Sequence, residues 1–121
     1  MKAKRVLVVG VCTAGKSTLV KALRDLGWSA YGVAQEHSSV PGLWKLRSPD
    51  VVIYLDVSYE KARLRRRISW GESRLDVQRE KLAQARSHAQ VVLDTSDMTC
   101  EEVLEQVLLF LAEGGDEGWR C

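Results

Sequence analysis

Nine residues constrain this chain more than any others: Gly10-Val11-Cys12-Thr13-Ala14-Gly15-Lys16-Ser17-Thr18, set between two segments of different periodicity. Before them, residues 5–9 are apolar and rich in β-branched side chains, the pattern of a strand buried on both faces of a parallel sheet. After them, Leu19, Val20, Leu23 and Leu26 fall at helical spacing, and Gly27 supplies a C-terminal stop. A strand, a glycine-rich loop and a helix therefore follow one another within about thirty residues, which is the setting a phosphate-cradling loop requires.

Every fixed position of the pattern GxxxxGK[ST] is filled. Gly10 and Gly15 let the backbone curl and come close to phosphate oxygens. The N–H groups of the loop, through Cys12, Thr13 and Ala14, form an anion nest, and the helix beginning near Lys16, Ser17 and Thr18 presents its positive end to the same place. Lys16 brings a point charge to the outer phosphates, and Ser17 offers a hydroxyl to Mg²⁺. The expected ligand is a nucleotide with its magnesium ion.

The remainder alternates strands with helices. Residues 28–34 read as a second strand, 35–39 as a polar loop, 40–46 as holding a short helical turn, and 51–55 as a buried strand ending at Asp56. Ser58 is placed to cap a helix running to about Ile68, residues 69–73 read as a loop, and 75–89 as a helix. A short strand over 91–93 precedes Thr99-Cys100-Glu101-Glu102, which has capping-box spacing and starts a helix carrying Val103, Val107 and Leu111. The pattern predicts an α/β fold with a short, mainly parallel sheet of about four strands, right-handed crossovers and helices on both faces. Residues 1–113 are expected to form one domain and 114–121 a frayed tail.

Composition narrows the function classes. With 45% hydrophobic and 28% charged residues over 121 positions, the chain is that of a folded domain. Its formal net charge of +2 is too small to argue for nucleic acid. No stretch reaches transmembrane length, and the basic start over residues 1–5 precedes an apolar run too short for a signal peptide, so a cytoplasmic location without membrane contact is expected. Cys12, Cys100 and Cys121 show no paired spacing, which gives neither a disulfide framework nor a zinc pattern.

Together with the loop, two further stretches, Val52-Ile53-Tyr54-Leu55-Asp56-Val57-Ser58 and Val91-Val92-Leu93-Asp94-Thr95-Ser96, give the chain a resemblance to the P-loop kinases of small molecules, the group of adenylate, thymidylate, shikimate and dephospho-coenzyme A kinases. The resemblance implies the three-layer P-loop NTPase fold, ATP as donor and a small-molecule acceptor. It implies that Arg65 lies on the helix after the pre-lid strand within reach of the nucleotide, and that Thr95 lies beside the base. It also implies that lid arginines, with Arg63 and Arg67 sharing one helix face at i and i+4, neutralise the transferring phosphoryl group. The absence of NKxD and DxxG patterns disfavours a GTPase.

The chain departs from that group in having only residues 28–50 between the first helix and the pre-lid strand, with no acidic strand end before Asp56. Ligands of open α/β sheets sit at the C-terminal strand ends, where Gln35, Glu36 and His37 would emerge. Glu36 is therefore the candidate for holding magnesium or its water, or for acting as a base, and His37 for contacting an acceptor. An NTP hydrolase, a nucleotide-dependent switch with a protein partner and a non-catalytic binding module are the alternatives. A homodimer would cover the exposed edges of so small a sheet.

Overall fold

Val6, Leu7, Val8 and Val9 are all fully buried. Successive strand residues point to opposite faces, so a strand with no exposed position must be covered on both. The structure, a computed structural model, describes residues 4–66 and 70–112 and meets that demand by making this strand, β1 (Arg5–Gly10), internal to the sheet. The order along the chain is β1, α1 (Lys16–Asp25), β2 (Ser29–Gly32), two short 3₁₀ turns (Gln35–His37 and Leu43–Lys45), β3 (Val51–Asp56), α2 (Tyr59–Arg65), α3 (Glu72–Ser87), β4 (Val91–Asp94) and α4 (Cys100–Ala112).

The four strands are all parallel, in the order β2-β1-β3-β4. Register runs from Arg5↔Ser29 on one side of β1 and from Val6↔Val51 on the other, with Ile53↔Val91 joining β3 to β4. Because β2 and β3 flank β1 on opposite sides, right-handed crossovers send α1 to one face and the β2–β3 and β3–β4 connections to the other. Accordingly α1 packs with α4, and α3 packs against β1, β3 and the first 3₁₀ turn. The chain is thus an α/β protein built on a four-stranded parallel sheet. No helix among the described residues is long and apolar enough to cross a membrane.

Local signals set the helix ends. Gly27 takes a left-handed φ of 96°, and the Gly27 and Trp28 N–H groups bond to Arg24 O and Leu23 O, which closes α1 in a Schellman turn. Ser58 Oγ accepts from Lys61 N at the start of α2. Thr99 and Glu102 exchange their bonds reciprocally, Thr99 N to Glu102 Oε1 and Glu102 N to Thr99 Oγ1, as the capping-box spacing predicts.

Three of the boundaries that differ from the sequence expectation bear on the site. β2 ends at Gly32, because the chain leaves the ladder to enter the 3₁₀ turn that carries Glu36. The α2 helix stops at Arg65 and Arg66 is extended, so the shared helix face expected for Arg63 and Arg67 does not exist on it; Arg67 itself lies outside the described residues, as does the expected tail 114–121. The α3 helix begins at Glu72, inside the expected loop, with that carboxylate in its first turn where it favours the positive helix end.

Two stability predictions follow from the sheet. A Cβ built on Gly10 would lie 2.2 Å from Leu55 O, a backbone atom that cannot swing away, whereas one on Gly15 meets nothing within 4 Å and costs only the strain of its left-handed φ. Gly10→Ala should therefore lower the urea midpoint by the equivalent of about 3 kcal/mol and Gly15→Ala by about 1 kcal/mol. The Tyr54 hydroxyl is buried without a hydrogen-bond partner, and burial, with the Asp56 carboxylate adding to it, pushes the phenol up to about 12. A folded-state value above the unfolded one means the folded state binds this proton more tightly, so stability should hold below pH 10 and fall by roughly 2–3 kcal/mol as pH rises toward 12. Tyr54→Phe, near neutral at pH 7, should flatten that decline in denaturation measured across the alkaline range.

Candidate functional site

The loop after β1 gets its shape from its own backbone. Thr13 sits at φ 65° and Gly15 at φ 103°, and Ala14 N bonds back to Val11 O at 3.3 Å. A β-branched residue in the left-handed region is strained, and Thr13 is held there by surrounding structure. Arg65 Nη1 donates to Thr13 O at 3.0 Å and to Thr95 Oγ1 at 2.9 Å, and Arg65 Nη2 bonds Thr95 O. Thr95, buried, can donate its one hydroxyl proton to Ala14 O at 2.9 Å or Asp56 O at 3.0 Å. The loop is thus tied to the ends of β3 and β4.

Lys16 folds back over the loop. Its Nζ donates to Gly10 O at 2.9 Å and Val11 O at 3.0 Å and pairs with Glu36 Oε2 at 2.9 Å. The Glu36 side chain is only 6% exposed, and its other oxygen, Oε1, is buried without a partner. Thr13 Oγ1 is likewise buried and unpartnered. No side chain caps α1 and no acidic residue occupies its first turn, so the first N–H groups, those of Lys16, Ser17 and Thr18, are left for an outside acceptor. Ser17 and Thr18 are exposed.

Three cavities lie at or beside this loop, two lined by its residues and a third adjoining the second. One of about 570 Å³ lies between α1 and α4, lined by Leu19, Ala22, Met98, Val103 and Leu104 and reaching Arg65 and Thr95. A second, about 430 Å³, is bounded by Cys12, Gly15, Lys16, Ser17, Glu36 and Arg65. The third, about 490 Å³, shares Glu36 and His37 with the second and continues to Trp70, Arg74 and Lys81. Arg63 lines none of the three; its guanidinium lies 5.6 Å over the Tyr59 ring. Arg65, two residues further along α2, faces the loop.

Several site residues carry no motif. Gln78 Oε1 accepts from Cys12 N at 2.9 Å, and Gln78 Nε2 lies 3.4 Å from Cys12 Sγ. The signal for it is a polar residue in the buried stripe of α3, between Leu75 and Leu82. Arg79 engages Asp56 Oδ1 at 3.2 Å and Val57 O at 3.0 Å, which commits the acidic end of β3 to a structural ion pair. Gln35, expected as loop polarity, is fully buried: it accepts from Trp44 N at 2.9 Å and donates to Val40 O at 2.8 Å, bracing the turn that presents Glu36.

No protein-family model matches the chain, and no curated protein sequence matches it. The geometry therefore stands alone, and its central brace is directly testable. Thr95→Val removes the hydroxyl that receives Arg65 and reaches Ala14 O, leaving buried groups unpaired. It should cost about 1–3 kcal/mol, read as a lower urea midpoint at unchanged slope.

Proposed function

We propose that this chain is a P-loop protein of the three-layer NTPase fold that binds Mg-ATP and transfers its γ-phosphoryl group to a small acceptor molecule. The observation that carries the reading is Lys16, folded over a loop that holds left-handed residues at the C-terminal edge of a parallel sheet, with an apolar cavity and a polar one both lined by that loop. The C-terminal strand edge is where open α/β sheets take ligands. The apolar cavity suits an aromatic base, and the cavity of Lys16 and Ser17 a chain of phosphates.

Ser17, exposed on the first turn, and the unpartnered Oε1 of Glu36 fit a magnesium ion. When bound, that ion would offset the negative charge of the phosphates. The rest falls to the chain. Lys16 gives up two neutral carbonyls and one carboxylate for phosphate oxygens, so that more of its bonds become charge-assisted. Glu36, released from Lys16, accepts the proton of an acceptor hydroxyl in the cavity it shares with His37. Arg65, positioned by Thr13 and Thr95, holds the loop and adds positive charge beside the γ-phosphoryl group. Catalysis of this kind is positioning and electrostatics.

Calorimetry with Mg-ADP should show binding that Lys16→Ala weakens about 10–100-fold, the loss of a charge-assisted contact. ADP release from Mg-ATP should then rise on adding a pooled metabolite extract, and this stimulation should vanish in Lys16→Ala. Full activity in the variant would overturn the mechanism; turnover indifferent to the extract would overturn phosphoryl transfer to a metabolite in favour of hydrolysis or a switch.

A further inference from the structure

Cys12, in the loop after β1, and Glu36 and His37, in the 3₁₀ turn after β2, each offer one ligand atom, and these three atoms lie within 4.8 Å of one another. We propose that they form a binding site for a thiophilic divalent cation, with Zn²⁺ the best match. Cys12 Sγ and His37 Nε2 are 3.5 Å apart. A tetrahedral zinc with Zn–S of about 2.3 Å and Zn–N of about 2.0 Å holds its sulfur and nitrogen about 3.5 Å apart. His37 Nε2 is also 3.7 Å from Glu36 Oε2, the oxygen that pairs with Lys16 Nζ, so a cation bound there displaces Lys16 from it.

Two further observations point to a ligand. Glu36 is 5% exposed, yet its Oε1 has no partner among the described residues, so Lys16 leaves the buried carboxylate half satisfied. Gln78, buried behind the loop, holds Cys12 from two sides: it receives the Cys12 N–H and directs its own amide N–H at the sulfur. A donor aimed at the sulfur fixes its orientation as an outer-shell partner does.

The donor set decides the metal class. One sulfur, one imidazole and one carboxylate suit zinc and related ions; magnesium demands near-octahedral oxygen. All three residues border the cavity of about 430 Å³, where a water or ligand oxygen can complete a tetrahedron. Binding replaces the thiol proton, which passes to solvent. The site differs from the proposed magnesium position, which uses Ser17 and shares only Glu36. On that reading, which this point alone rests upon, the two ions contend for one carboxylate at the mouth of the phosphate loop.

The test uses the full chain as a Cys100→Ser, Cys121→Ser variant, so that Cys12 is the sole thiol, titrated with Co²⁺ without nucleotide or magnesium. The expected result is a thiolate-to-cobalt charge-transfer band that saturates at equimolar cobalt and is abolished by equimolar Zn²⁺. Adding Cys12→Ser should remove the band. His37→Ala, at an exposed position where folding is unaffected, should weaken cobalt binding more than about tenfold. Lys16→Ala should keep the band, which separates this site from phosphate binding: loss of nucleotide affinity with the band intact overturns only the nucleotide reading. No band in the folded protein, a band that survives Cys12→Ser, or unchanged affinity in His37→Ala overturns the metal site.

Discussion

The Leu55 carbonyl leaves no room for a side chain at Gly10. β1 and β3 run in register up to the pair Gly10↔Leu55, and a Cβ there would meet that oxygen at 2.2 Å. The chain must end its strand with glycine at that point and turn away. The turn carries a buried Val11, a left-handed Thr13 and a left-handed Gly15 before α1 begins. The loop is therefore the way in which a strand buried on both faces leaves the sheet, and the same turn sets the carbonyls of Gly10 and Val11 where Lys16 Nζ can reach both.

Once the loop is fixed, its charges need partners. Lys16 has two carbonyls and one carboxylate, and that carboxylate belongs to a buried residue with one oxygen still unpaired. A pair of this kind is costly to break from one side and weak as a source of stability, so its value lies in what it holds ready. On the readings proposed above, an anion would take Lys16 and free Glu36, and a cation would take Glu36 and free Lys16. Asp56, the other acidic strand end near the loop, is excluded from this exchange because Arg79 holds it at 3.2 Å.

Arg65 and Thr95 connect this exchange to the body of the sheet. Their bonds to Thr13 O, Ala14 O and Asp56 O make the far ends of β3 and β4 part of the loop's support. On the other side, the fully buried Gln35 bonds to Val40, Trp44 and Lys81 and so sets the turn that carries Glu36 and His37. The site is thus held from both faces by groups that do not themselves line the cavity of Lys16 and Ser17, apart from Arg65.

The sequence by itself determined the α/β alternation, the four-strand count, the strand–loop–helix unit and the caps at Gly27, Ser58 and Thr99, because each rests on periodicity or on bonds between residues a few positions apart. It also singled out Lys16 and Glu36 before any geometry was known. Tertiary structure decided what depends on distance across the chain: that Lys16 meets Glu36, that Arg65 faces the loop while Arg63 lies over Tyr59, and that α2 stops at Arg65. Cysteine spacing predicts no zinc pattern, yet Cys12 and His37 are neighbours because β1 and β2 are parallel and end side by side. Gln78 reaches Cys12 from α3 across 66 residues of chain, a contact that no local pattern encodes. Parallel pairing is the physical reason for the division: it joins segments through long crossovers, so the residues gathered at its C-terminal edge are the ones farthest apart in sequence.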